Sequence, residues 1–463
     1  MISSTSNFQA ALAAYTNGPI FVQVVIEGYT RVFTSQIDSI TGHYPWIVSI
    51  DDLDLTLEDL DGGADQRTGG VTVQDNGGSI TGDFPTFVFE GKQIQIQVGF
   101  TGLAQADFCT VFTGFIDTVS SADSNTNYYV QFSDVQTQMG AVVFQTGDDG
   151  SPTSSINVKT VTGHPLQILM TICQELDIAC DTAKITDYIN GPFAGIIFTF
   201  YLTQAPAAAD FIKAQLLKPL GGYMWVNAAG LLTVNFFYPL AGPTPVGSFG
   251  QSTWLDIPEA GQTDMKNVMQ MNFDLDDSSA NDNSSGNYLS SFTDQYAPSY
   301  LLYGDLSSEI VINADGVRSA FQGFFIAALT AFMIFARYGF KNLTFDSESS
   351  GGSNPDSVWN TLLYEPGDIV SVTHPQVPNR KAGVMGITNY PFEILNKTIK
   401  FTEGLLTYTM IDASYLSDFG LFLIAPMGEA KYAADTTANQ AKYMYFCGAN
   451  GEYSNGNPAN ILG

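Results

Sequence analysis

Three histidines, four cysteines and 46 carboxylates are the groups with which this chain could do chemistry. Their spacing argues against most of it. Cys173 and Cys180 have six residues between them, which matches no common zinc or thiol–disulfide motif, while Cys109 and Cys447 stand far apart. The expected fate of these cysteines is that of small buried hydrophobes. His43, His164 and His374 are equally dispersed; His164 and His374 each precede a proline and read as turn or strand-end residues. Carboxylate catalysis needs two groups at a defined separation with divergent pKa values, and abundance alone does not supply that. There is no HExxH, serine elbow, phosphate-cradling glycine loop or Cys-His arrangement. The expectation is a protein with no catalytic residues, no metal and no cofactor.

Two acidic stretches invite a calcium reading. "DDLDLTLEDLDGG", residues 51–63, lacks the glycine and the closing glutamate an EF-hand loop requires. Its alternating Leu53, Leu55 and Leu57 instead predict a strand with a solvated acidic face. "DLDDSSANDNSSGN", residues 274–287, reads as a solvated linker, with calcium binding as the alternative.

The chain has 463 residues, enough for several cores, and the length prior is roughly three domains. It is 45% hydrophobic and 13% aromatic but only 14% charged, with 44 glycines and 33 phenylalanines, a profile of β structure with many turns. Lys and Arg number 17, so the formal net charge is −29, which excludes binding nucleic acid through phosphate neutralisation. Such acidity keeps a surface soluble, or it makes a wall that repels a polyanion. The N-terminal "MISSTSNFQAALAAYTNGP" lacks a basic n-region and a long apolar core, so synthesis and folding in a cytoplasm are expected.

Along the chain, a short helix over 7–15 precedes "IFVQVVIEG" and "YTRVFTSQI", paired strands around Gly28. Strands continue through "GKQIQIQVGF", "VFTGFIDTV" and "NYYVQFSDV". Near residue 155 the period changes: "HPLQILMTICQELDI" has Pro165 at a first turn and apolar residues at helical spacing, and "PAAADFIKAQLLKPL" is a second helix. "GGYMWVNAAGLLTVNFF" then reads as a hairpin turning at Asn227 to Gly230. Ser319 to Ala336 carries no charge over 18 positions, long enough to raise a membrane span. Gln322, Gly323 and Thr330, with no basic flank, favour a helix buried in protein.

One device recurs. In "FEGKQIQIQVGF" and "YEPGDIVSVTHP" an aromatic residue and a glutamate lead to Gly91 or Gly367, and then to Ile94 or Ile369 at the start of an alternating strand. Pro366 presets φ, Gly367 can take positive φ and Asp368 can bond back to the backbone, a turn that fixes strand register. Gly114 with "YYVQFSD" after it, and Gly386 with "KTIKFTEG" after it, extend the parallel, and a duplicated β module follows.

"TGFIDTVSS…YYVQFSD", "GHPLQILMTICQEL", "KPLGGYMWVNAAGLLTV" with "DMKNVMQMNFD", and "LYEPGDIVSVTHP" behind a helix ending in "ARYGF" occur in that order over most of residues 85–410. In these pieces the chain resembles the baseplate hub, or tail-tip hub, proteins of tailed bacteriophages and related contractile injection machines. The resemblance implies a mainly β (α+β) fold with two tube-like β-barrel modules, a small α/β insertion and one long buried helix. The expected divisions are 1–150, N-terminal helix and first β-barrel module; 151–260, α/β insertion; 261–410, second β module with the long helix at 317–338; and 411–463, a C-terminal segment.

The resemblance further implies a homotrimer whose six barrels adapt a sixfold tail tube to a threefold tip around the DNA exit channel. The implied partners are a tail-tube or distal tail protein, the tape-measure protein and a central tip or fibre protein. DNA would pass through without stable binding and no membrane span would persist. The implied location is the tail tip of the virion, assembled in host cytoplasm. The alternatives are a receptor- or glycan-binding adhesin using aromatic β surfaces such as "FFYPL" and "YMYF", a tail-associated peptidoglycan hydrolase, and a hexameric distal tail ring protein.

Overall fold

The computed structural model describes residues 1–14, 20–64, 66–122, 126–144, 159–202, 205–237, 245–250, 259–262, 265–276, 287–304, 309–339, 343–350, 358–379 and 383–414. Cys447, "YMYF", most of the acidic linker 274–287 and nearly all of 411–463 lie outside the described residues. The fold is mainly β, with helices between and within the β regions.

Helix α1 (Ser6–Ala14) precedes ten strands: β1 (Phe21–Ile26), β2 (Val32–Thr34), β3 (His43–Tyr44), β4 (Ile47–Ile50), β5 (Leu53–Glu58), β6 (Gly63–Ala64), β7 (Thr68–Gln74), β8 (Gln93–Gly99), β9 (Cys109–Ala122) and β10 (Asn127–Ser133). Strands β1 and β2 pair antiparallel as expected, with Gly28 at φ +73° between them. Period-two burial makes the sheet two-faced. In β8, Ile94, Ile96 and Val98 are buried while Gln93, Gln95 and Gln97 are half-exposed. The first sheet has the order β3-β2-β1-β8-β9-β10-β7-β4.

The middle of the chain follows as β11 (Lys159–Gly163), α2 (Pro165–Glu175), α3 (Thr182–Asn190), β12 (Phe198–Leu202), α4 (Ala208–Asp210) continuing as a π-helix over Phe211–Leu217, β13 (Gly222–Val226) and β14 (Leu232–Phe236). His164 directly follows the end of β11, as the strand-end reading has it, and is also the N-cap of α2, its Nδ1 accepting from the Leu166 N–H at 3.1 Å while Nε2 bonds the Phe193 carbonyl at 2.9 Å. Leu166, Leu169, Ile172 and Cys173 fall on the buried stripe of that helix.

The last run is β15 (Gly247–Phe249), β16 (Glu259–Gln262), β17 (Val268–Leu275), β18 (Tyr288–Gln295), α5 (Ala297–Tyr303), β19 (Ile310–Ala314), α6 (Ala320–Tyr338), β20 (Leu343–Ser350), β21 (Ile369–Asn379), β22 (Val384–Lys400) and β23 (Leu405–Asp412). A second large sheet has the order β15-β21-β22-β23-β20-β16, with β5 from the first region added alongside β22. Strand β21 does not stop at Pro375 but runs to Asn379, because register shifts on both sides of His374 accommodate prolines within the strand.

Helix α6 is capped by the Ser319 hydroxyl accepting from the Gln322 N–H. Its inner face buries Ile326, Ala327, Ala331 and Ile334, Thr330 donates to the Pro219 carbonyl at 2.8 Å, and Arg337 is fully buried. By length and apolarity it could also cross a membrane. Its outer face exposes Phe321 at 85% and Phe324 at 47%.

Two hydrophobic clusters organise these parts. One joins α2, α3, β13, β14, the β18-β17-β19 sheet and α6. The other runs without interruption through both large sheets, from Val24, Ile96 and Phe132 to Val370, Ile394 and Met410.

Candidate functional site

The two large sheets are copies of one topology. Strands β1, β4, β7, β8, β9 and β10 lie in the order β1-β8-β9-β10-β7-β4; β15, β16, β20, β21, β22 and β23 lie in the order β15-β21-β22-β23-β20-β16. Ranked by appearance in the chain, both read first, fourth, fifth, sixth, third, second. The sense differs at one edge, where β1 is antiparallel to β8 and β15 is parallel to β21.

The glycine corner recurs with its hydrogen bonds. Gly91 N–H donates to the Ile116 carbonyl at 2.8 Å, Ile116 N–H returns to Lys92 at 2.9 Å, and Lys92 N–H closes the turn on Phe89 at 3.1 Å. In the second sheet Gly367 donates to Ile394 at 2.8 Å, Ile394 returns to Asp368 at 3.0 Å, and Asp368 closes on Glu365 at 3.0 Å. Both glycines have positive φ, +77° and +85°. One residue beyond each isoleucine stands a β-bulge: Ile116 faces Phe132 and Thr118 faces Gln131, while Ile394 faces Met410 and Asn396 faces Thr409. Asp117 and Leu395 are the extra residues.

This register corrects part of the expected parallel. Gly114 pairs with Ile94 beside the corner, whereas Gly386 lies toward the far end of its hairpin, between Ile387, which faces His374, and Met385, which faces Pro378. The counterpart of "YYVQFSD" is "LTYTMID", residues 406–412, and "KTIK" belongs to β22. The two glycines serve different needs. A Cβ on Gly114 would meet the Ser133 carbonyl oxygen at 2.3 Å, while Gly386 is required by φ +91°. Alanine at Gly91, where a Cβ has open space, should therefore cost only the left-handed backbone strain, about 1–2 kcal/mol. Alanine at Gly367 should cost more, because its Cβ would also press on Trp225 at 3.1 Å. Urea unfolding of the two variants checks the order.

The sheets are keyed together at the second corner. The turn of the β13–β14 hairpin, at Asn227–Gly230 as expected, lies between them. Thr113 on β9 donates to the Ala228 carbonyl at 3.0 Å, and the Ala228 N–H donates to the Glu365 carboxylate at 2.8 Å. The Arg67 guanidinium donates to the Val226 carbonyl. Strand β5 then crosses over: Leu53, Asp54, Leu55 and Thr56 pair with Ile399, Thr398, Lys397 and Asn396. Its acidic face is solvated as expected, and Asp54 accepts from Asn396 at 2.7 Å and Thr398 at 2.6 Å.

A small cavity at this junction is lined by Leu53, Val111, Arg67, Glu365 and Lys397, among others. Lys397 is buried; its ammonium donates to the carbonyls of Leu362 and, at 2.8 Å, Tyr364. Burial pushes its pKa down to about 8 against the opposing pull of Glu365. Burial also lowers that of Arg67, which stacks over Phe112 at 5.5 Å, and raises that of Asp134, which Arg67 partly offsets. Nearby, Arg337 and Glu393 form a buried ion pair to which the Tyr223 hydroxyl also donates.

These bonds run mainly to backbone and counter-ions of neighbouring elements. Such an arrangement holds the sheets together. Sequence reasoning missed Arg67, Arg337, Glu393 and Lys397, although Lys397 shares a period-two face with Ile399, which is a legible sign of a buried cation. Cys109 and Cys173 are buried as expected, in different cores. His43 bonds Asp38 at 2.5 Å, and His374 stands within a strand, its Nδ1 accepting from Gln376. Among the described residues no three histidine, cysteine or acidic groups gather as a metal site.

No family model matches the chain, and no curated protein does. Among solved structures it is similar to the prophage MuSo2 43 kDa tail protein from Shewanella oneidensis, at 12% identity and a TM-score of 0.48, over 86% of this chain and 99% of that one. It is also similar to the tail protein from Neisseria meningitidis MC58, at 10% identity and a TM-score of 0.45, over 86% and 98%. Prophage tail protein gp18 from Listeria monocytogenes EGD-e is similar at 11% identity and a TM-score of 0.44, over 86% and 97%.

Proposed function

We propose that the chain is a structural, non-enzymatic protein of a bacteriophage tail tip, carried in the virion, where three copies form a hub ring around the DNA exit channel. The observation that carries this reading is the internal duplication: one strand order, one corner and one bulge position occur twice in a single chain. A trimer of such a chain presents six near-equivalent sheets, which is what a threefold tip needs to meet a sixfold tube. A tail-tube or distal tail protein would then abut the ring, with the tape-measure protein and a central tip or fibre protein on its axis. The buried junction supports the reading, because it holds the two copies at one fixed spacing inside each subunit.

Three copies triple a formal charge of −29, and an acidic channel wall would repel phosphate and let DNA slide without sticking. Light scattering and class averages of the purified protein test the assembly. A ring of three chain masses with six lobes is the expected result. Sixfold arrangement of whole chains would favour a distal tail ring, and a monomer at tens of micromolar would remove the ring-forming hub.

A further inference from the structure

We propose that Cys173 and Cys180 are a dithiol built to close into an intramolecular disulfide when the folded protein meets a small-molecule disulfide. The proposal does not depend on the tail reading. Sequence spacing hides the pair, because the helix end and the turn after it fold the six intervening residues back. Cys173 lies in the last turn of α2 with its side chain in the core. The chain reverses through Asp177, held at φ +56°, and the Ile178 N–H donates to the Cys173 carbonyl at 2.7 Å.

Cys180 is fixed by a bridge to Leu232. The Leu232 N–H donates to Ala179 and the Asp181 N–H donates to Leu232, each at 2.9 Å. Both backbones are therefore pinned, and the Cys180 side chain packs against the same hydrophobic cluster that holds Cys173, with the two thiols close enough to perturb each other. Cys173 is sealed from solvent, whereas Cys180 is half-buried and reachable.

This asymmetry assigns the roles. Interaction with Cys173 lowers the Cys180 thiol below its ordinary value, against burial and the nearby Asp181, which favours its thiolate as the attacking group. That thiolate attacks one sulfur of the small disulfide, forming a mixed disulfide at Cys180 and expelling one small thiolate. Cys173 then loses its proton and attacks the Cys180 sulfur, forming the Cys173–Cys180 bond and expelling the second small thiol. Two cysteine thiols are oxidised and one small disulfide is reduced to two thiols, so the step balances. Cys109 provides an internal control, since burial pushes it up to about 12 in the other core.

Oxidised glutathione is the probe. The folded protein is incubated with excess reagent, quenched in acid, denatured, alkylated and mapped by peptide mass. The expected result is loss of alkylation at Cys173 and Cys180 together, a direct link between them, and full recovery with dithiothreitol. Cys173→Ser should trap glutathione on Cys180, and Cys173→Ala, which keeps the apolar contact, serves if the serine does not fold. Cys180→Ser should slow thiol loss at Cys173 at least tenfold. Full alkylation of both residues, unresolved glutathione on wild-type Cys180, or links to Cys109, Cys447 or a second chain would each overturn the proposal.

Discussion

Replacing Glu393 by leucine is expected to lower folding stability by about 3–5 kcal/mol, the cost of leaving a buried charge without its partner. The Arg337 side chain is fully buried and that of Glu393 is 6% exposed, so water cannot replace the lost carboxylate. Arg337→Met should cost a similar amount, because Glu393 would keep only the Tyr223 hydroxyl of the two side-chain donors described for it. The double variant Arg337→Met/Glu393→Leu should recover most of the loss, since two apolar groups of comparable volume need no counter-charge. Urea denaturation of the four proteins measures the coupling. If both single variants stay within about 1 kcal/mol of the parent, the pair does not behave as a desolvated pair.

The second large effect is a pH dependence centred on Lys397. Its folded pKa is about 8, below the ordinary lysine value of about 10.4. Between these values the unfolded chain still holds a proton that the folded chain has released, so stability rises with pH across that window. The full rise is on the order of 3 kcal/mol, at about 1.36 kcal/mol per pKa unit. Lys397→Met removes the titration. The stability difference between parent and variant, measured from pH 7.5 to 10.5, should therefore move in favour of the parent as pH rises. Buried tyrosines such as Tyr408, whose pKa burial raises, add an opposing slope common to both proteins, and it cancels in the difference. Parallel curves would mean that the ammonium is hydrated in the folded state.

Much of the architecture was legible because it is periodic. The alternation of Ile94, Ile96 and Val98, the helical spacing around Pro165, and the glycine corners at Gly91 and Gly367 each announce a local structure that the fold contains. The equivalence of the two sheets was only half legible. Glycine is the landmark both copies offer, and Gly114 and Gly386 answer different constraints, close approach in one case and positive φ in the other. The shared bulges at Asp117 and Leu395 carry no residue signature, since a bulge is a property of register with a partner strand. The junction was the least legible part. Arg67 meets Val226, and Leu55 meets Lys397, across separations that no local pattern encodes.

Strand β5 sets a timetable for the growing chain. Its leucines emerge from the ribosome early, but the rungs that seat Leu53, Asp54, Leu55 and Thr56 are supplied by residues 396–399, more than three hundred positions later. Until then only its last residues, Leu57 and Glu58, have a rung, on Ala64 and Gly63 of β6, and the open stretch over Leu53 to Thr56 is a template for pairing with other nascent chains. The first sheet can form its own ladder from β1 to β10 beforehand, yet the seam to the second sheet waits for nearly the whole described chain. The alternating acidic face of β5, with Asp54 and Glu58 exposed, places like charges on that waiting edge and so discourages two unfinished chains from zipping together.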